Sequence, residues 1–178
     1  MDDYSRFLPA WKLFSTISAT DVRETLDLAL KRTGLNHVKV HLNPRPLSDN
    51  GPCYVSKDLK AHWDARDITH VRSAPYHPQT QGKIDRYHRT IKKVINLEHY
   101  YFPGKLEKAI AEFVDYYNYQ RCHEAIDHLI PADLFYGRGK KILAQREMIK
   151  AQTLQMRLIT NMIRPVDEIL LANENCVS

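Results

Sequence analysis

Two aspartates stand where carboxylates do chemistry. Asp49 lies in a Ser-Asp-Asn-Gly turn at the end of an expected strand, and Asp85 lies near the start of an expected helix, just after a loop. Lys83, Arg86, Arg89, Lys92 and Lys93 crowd the Asp85 helix, against that one acid in its first three turns. Neighbours on a helix face are three or four residues apart, so positions 85, 89, 92 and 96 form one stripe reading Asp, Arg, Lys, Asn. A carboxylate at the head of a basic ridge suits a divalent cation while the ridge grips phosphates. Each part also has a plainer reading. Asp before Asn-Gly is a turn former, an acid in a first helical turn complements the helix dipole, and a cationic face is a solvated surface.

The elements that must position these residues follow from pattern. Phe7 to Phe14 is apolar enough for a strand, and Pro9 confines it to an edge. Thr20 reads as an N-cap, with Asp21 and Glu24 in the first turn; Val22, Leu26, Ala29 and Leu30 recur at helical spacing, and Gly34 is a stop. Val38 to Leu42 is an expected short strand and Asn43 to Gly51 is turn chemistry. Ser56 can cap a short helix presenting Leu59 and Trp63, and Ile68 to Arg72 is a further strand. Ser73 to Gly82 has two prolines, a glycine and no apolar period, which predicts a loop. Ile84, Tyr87, Ile91, Val94 and Ile95 then mark one helix face, and Leu106, Ala109, Ile110, Phe113, Tyr116 and Tyr117 the next. A last helix is expected from Lys141 to about Met162, with sparse apolar positions at Leu143, Met148, Leu154 and Leu158. The order is α/β with late helices. It divides into a core over 1–97, its C-terminal helices over 98–139, and a helical tail over 140–178 that frays from Pro165.

Composition narrows the partners. At 178 residues the chain can bury one core, and its +5 formal charge suits a polyanion. No leader or membrane-crossing run is evident, which points to a cytoplasmic protein without membrane partners. Cys53, Cys122 and Cys176 are far apart and odd in number, and Cys122-His123 lacks a second ligand pair, so neither a disulfide framework nor a zinc finger is expected.

Six segments in order resemble the integrase catalytic core of bacterial insertion-sequence transposases and, more distantly, retroviral integrases. They are Asp2 to Arg6 (DDYSR), Leu47 to Gly51 (LSDNG), His77 to Thr90 (HPQTQGKIDRYHRT), Tyr117 to Glu124 (YNYQRCHE), Pro131 to Leu134 (PADL) and Arg146 to Arg157 (REMIKAQTLQMR). The resemblance implies a ribonuclease H-like fold in which three acids bind two divalent ions, Mg²⁺ or Mn²⁺. It assigns the second acid to Asp49 and the third to Asp85, with 35 residues between them, as that family spaces them. Asp85 departs from the usual Glu. Arg89 and Lys92 match positions that face DNA, one and two turns below the acid. Lys83, Arg86 and Lys93 complete the expected DNA-binding set. Asp2 and Asp3 match a turn, not the first catalytic acid, and are expected to make local hydrogen bonds.

The resemblance also implies a fold lacking its first two strands, followed by C-terminal helices. Family strands run 3-2-1-4-5, which would leave Phe7–Phe14 and Val38–Leu42 without the strands between them. Unpaired buried backbone groups cost about 1–3 kcal/mol each, a heavy load on a stability of roughly 5–15 kcal/mol. The expectation is a chain completed by another polypeptide, aggregated, partly unfolded, or cut from a longer reading frame. Three functions follow. One is DNA transposition or integration by metal-dependent strand cleavage and transfer, with this chain inactive alone for want of the first acid. Another is a non-catalytic fragment that binds DNA or an intact transposase subunit. The third is a helical scaffold with coincidental motifs.

Overall fold

The computed structural model describes residues 1–34, 44–73 and 82–163. Two compact units divide it, Met1–Phe135 and Tyr136–Ser178. In the first, helix α1 (Ala19–Thr33) precedes strand β1 (Leu47–Ser48), a 3-10 turn over Pro52–Val55, helix α2 (Lys57–Asp64) and strand β2 (Val71–Arg72). Helices α3 (Gly82–Ile95), α4 (Pro103–Tyr119) and α5 (Pro131–Phe135) follow. The second unit holds α6 (Gly139–Ile163), beginning two residues before the expected start.

The helix ends show which local signals prevailed. The N-cap of α1 is Ser18, not Thr20. Ser18 Oγ accepts from the Asp21 N–H at 3.3 Å and Asp21 Oδ2 accepts from the Ser18 N–H at 2.8 Å, so the reciprocal three-residue spacing decides the start. Gly34 ends α1 as expected, in the left-handed conformation at φ 73°. Ser56 caps α2 by accepting from the Leu59 N–H at 3.1 Å.

Strand pairing is parallel and short, with Leu47 opposite Val71 and Ser48 opposite Arg72. Leu47 and Ser48, expected to be turn, are strand because their backbones meet β2. Pro46 C=O accepts from the Val71 N–H and Ser48 C=O from the Ser73 N–H, each at 2.9 Å. The expected strand Ile68–Arg72 shrinks to its last two residues. Asp67 at φ 55° turns the chain out of α2, and Ile68 is buried in the core instead of extending the ladder. Val38–Leu42 and most of the expected loop, 74–81, lie outside the described residues.

Phe7–Phe14 is not a strand. Its anchor is a side chain. The buried Asn118 accepts from the Leu8 N–H at 2.9 Å and donates to the Leu8 C=O at 3.1 Å, doing for that residue what a neighbouring strand would do. Asp2 makes the local turn bonds expected of it, whereas the Asp3 side chain reaches a distant residue instead. Asp2 Oδ2 accepts from the Ser5 N–H at 2.7 Å, and Asp3 pairs with Lys83.

Two apolar clusters hold the first unit. One gathers Leu8, Tyr87, Phe113, Val114 and Tyr117, with Ile84 and Ile91 against it, and so joins α3 to α4. The other gathers Leu30, Leu59, Trp63 and Ile68, joining α1 to α2. Val94 and Tyr116, assigned to inward faces from periodicity, are exposed at 47% each, although Phe113, Val114 and Tyr117 beside Tyr116 are buried. In α6, Met148, Leu154, Met156 and Leu158 are exposed, so its sparse apolar positions do not make a buried stripe. No helix among the described residues is long and apolar enough to cross a membrane.

Candidate nucleic-acid interface

The sequence of α3 separates its two faces cleanly. Ile84, Tyr87 and Ile91 lie on the cluster with α4, and burial pushes the Tyr87 hydroxyl up to about 12. At about 100° per residue, Asp85, Arg86, Arg89, Lys92 and Lys93 occupy a roughly 120° arc on the other side. All five are exposed. Packing therefore sets the rotation of the helix and aims the cations outward. Lys83 is placed differently. Its ammonium pairs with Asp3 Oδ1 at 2.7 Å and donates to the Asp3 C=O at 2.9 Å, so it ties the first turn of α3 to the N-terminal turn.

His88 enters the same ridge without having been singled out in the sequence. Partial burial holds its pKa below the ordinary value; Asp85 pulls it upward and Lys92 pushes it down. The i, i+3, i+7 spacing of Asp85, His88 and Lys92 was the available signal.

Asp49 follows β1 directly, as expected of a residue at a strand end. Its Oδ1 accepts from the Gly51 N–H at 2.9 Å, closing a tight turn. A Cβ at Gly51 would come 3.0 Å from that same oxygen, a tight contact that the carboxylate would have to relieve by a small shift. The turn is braced to β2. Asn50 Nδ2 donates to the Ser73 C=O at 3.1 Å, and Ser48 Oγ donates to the Asp49 C=O at 2.8 Å while lying 2.8 Å from His70 Nε2. A hydroxyl has one proton, so Ser48 accepts from His70, which places the imidazole proton on Nε2. Burial and then Arg72 lower the His70 pKa, in keeping with a neutral ring. His70 was also missed from sequence, where a lone histidine in a strand carries no signal.

Asp49 is engaged with its own turn and Asp85 stands beside His88. Among the described residues no group of three or more His, Cys, Asp or Glu side chains is placed to hold a metal ion.

Comparison with known proteins supplies the family context. Two family models, both described as Integrase core domain, match residues 1–78 and 66–131. The similarity is to an integrase core. The matched residues include Asp49, Asp85 and the whole of α3. Over 50 residues the chain is 46% identical to the IgE-binding protein of Mus musculus, covering 28% of this chain and 9% of that protein. It is equally identical over 50 residues to the Intracisternal A-particle Pol-related polyprotein of Mouse intracisternal a-particle MIA14, covering 28% and 6%. The chain thus spans less than a tenth of the length of these curated relatives. Among solved structures, the catalytic core domain of BIV integrase aligns with a TM-score of 0.54 at 20% identity, over 78% of this chain and 84% of that one. The HTLV-2 integrase catalytic core domain in complex with magnesium, in its trimeric form, aligns at 0.53 and 18%, over 74% and 78%. At such identities the likeness speaks to fold. The chain has the ribonuclease H-like fold of integrase cores, and its described residues hold few strands together with further helices.

Proposed function

We propose that this integrase-type core grips the DNA backbone through Arg86, Arg89, Lys92 and Lys93 of α3, and that it serves DNA transposition or integration by polynucleotidyl transfer. One observation carries the reading. α3 lies within the matched integrase-core segment and buries Tyr87 while turning those four cations to solvent. Phosphate is the ligand for such a ridge, because binding there releases condensed counterions. The motifs that resemble insertion-sequence transposases favour a mobile-element enzyme working with further transposase subunits.

Asp49 and Asp85 are the carboxylates we assign to the transfer site. Both offer hard oxygen donors of the kind Mg²⁺ and Mn²⁺ prefer, although no group of three or more His, Cys, Asp or Glu among the described residues is placed to hold such an ion. A bound divalent ion would supply stabilisation for the charge that develops on phosphoryl transfer. The chain's own contribution is to hold phosphate along Arg89 and Lys92 and to keep the Asp49 turn fixed through Gly51, Ser48 and His70. The same lack of a three-donor group favours a second reading, in which this chain binds DNA or a transposase subunit without performing transfer.

Asp85→Asn separates the two. Strand transfer is assayed in Mg²⁺ and in Mn²⁺ with an intact relative supplying the remainder of the core, and duplex binding is followed by fluorescence anisotropy. The catalytic reading expects transfer to disappear while binding is retained or rises, since a negative charge leaves the ridge. Transfer that survives Asp85→Asn refutes the assignment of Asp85. Binding without transfer in either protein supports the second reading.

A further inference from the structure

Beside β1 and β2 the first unit contains a cavity of about 490 Å³. That is within the range of small-ligand sites, roughly 300–1,000 Å³. Three rings contribute to its wall. Trp63 and His70 meet edge to face with centroids 3.6 Å apart, and Tyr54 lies 6.4 Å from His70. Lys60 and Arg72 also line it, and so do Asp64 and Asp67.

The charge pattern selects among ligands. Two cations are matched by two acids, so these charges give the wall no net preference for a bare phosphate, while burial and then Arg72 lower the His70 pKa. What it offers is aromatic surface together with both donors and acceptors. A nucleobase presents π faces and a mixed donor and acceptor edge, and it stacks on aromatic side chains whatever its identity.

The cavity is joined to the Asp49 turn. His70, on its wall, donates to Ser48, which donates to the Asp49 C=O. Tyr54, also on its wall, has its hydroxyl pKa raised by burial first, then by Cys53 and by Asp49. A DNA strand brought to Asp49 would therefore pass next to this opening. We propose that the cavity receives one unpaired nucleobase of that strand, stacking it on Tyr54 and holding its edge with Lys60 and Arg72. The inference rests on the reading of the chain as a DNA-binding integrase-type core. It adds a base-holding site to the phosphate ridge. An unstacked base is cheapest to extrude where the duplex is nicked, frayed or mismatched, so the site selects for DNA with an opened end.

The test uses the full chain and three labelled hairpin duplexes. One is fully paired, one carries a single unpaired base, and one has an abasic residue at that position. The unpaired base is expected to bind roughly tenfold tighter than its abasic counterpart, in line with stacking on one aromatic side chain. Tyr54→Ala should erase that difference and Tyr54→Phe should keep it. Because Tyr54 also packs against the core, Thr69→Trp supplies a second variant. Thr69 is exposed on the cavity wall, and the indole would fill the space without removing a core contact. Equal affinity for the unpaired-base and abasic hairpins overturns the proposal, as does an undiminished preference in Thr69→Trp. The fully paired hairpin reports on the α3 ridge alone. If it is bound while the other two are indistinguishable, the base site fails and the ridge stands; if no hairpin is bound, the ridge reading fails first.

Discussion

Replacing Arg89 and Lys92 together with alanine tests the ridge at its centre. Both are exposed on α3, and neither belongs to the cluster formed with α4. Surface changes of this kind alter stability by about 0.5 kcal/mol or less, so the fold should persist. The effect is to be read in salt dependence. Each phosphate neutralised contributes about −0.9 to the slope of log K against log salt, so four contacts from Arg86, Arg89, Lys92 and Lys93 give roughly −3.6. Between 50 and 200 mM salt that slope lowers affinity about 150-fold, whereas the double variant, with a slope of roughly −1.8, should lose only about 12-fold. Anisotropy titrations on a short duplex at four salt concentrations supply both slopes. The charge-preserving pair Arg89→Lys with Lys92→Arg should keep the wild-type slope. If the alanine pair also keeps it, these cations do not touch phosphate and the ridge is a solvated surface.

Two further outcomes concern the scaffold. Asn118→Ala strips both partners from the Leu8 backbone, leaving a buried N–H and C=O unpaired; urea unfolding should show a loss of about 2–4 kcal/mol, and a loss below about 0.5 kcal/mol would show that the clamp is dispensable. His123 is depressed to about 4, first by burial and then by Arg121 and Arg6, and its Nε2 is buried without a partner. The unfolded chain, with an ordinary histidine near 6.5, therefore binds more protons between those values. Stability contributed by neutral His123 is present above about 6.5 and is lost as pH falls toward about 4. His123→Gln should flatten that part of the urea midpoint against pH, and an unchanged profile would exclude His123 as its source.

The sequence was most legible where one periodicity governed a whole element. In α3 the apolar residues at 84, 87 and 91 fixed the inner face, and the cations then had nowhere to lie but outside. Gly34 and Ser56 were readable because capping chemistry is local. The strands were legible only at Val71–Arg72, the end of the expected Ile68–Arg72, because a ladder depends on its partner. Leu47 and Ser48 look like part of a turn until Val71 and Arg72 arrive beside them, and Phe7–Phe14 looks like a strand until Asn118 takes its place. The candidate site divides along the same line. Asp49, Asp85 and the α3 cations stood out by type and spacing. His70 did not, since its role comes from Ser48, which lies 22 positions away in the chain.

The dependence of the ridge on the core has a consequence for what this fold tolerates. Rotation of α3 is set by Ile84, Tyr87 and Ile91 packing into the cluster with Phe113, Val114 and Tyr117 of α4. One residue inserted between Tyr87 and His88 would turn everything after it by about 100° relative to Ile84 and Tyr87, carrying Arg89 and Lys93 toward the apolar contact and Ile91 away from it. Burying such a charge unpaired costs several kcal/mol, so the helix would either resist the rotation or leave the core. Charge placement and core packing are thus one constraint. On the proposed phosphate ridge, a substitution that enlarges or shrinks the side chain at Tyr87 should act through orientation, and its expected signature is lower DNA affinity together with lower stability. Loss of affinity alone belongs to the exposed arc.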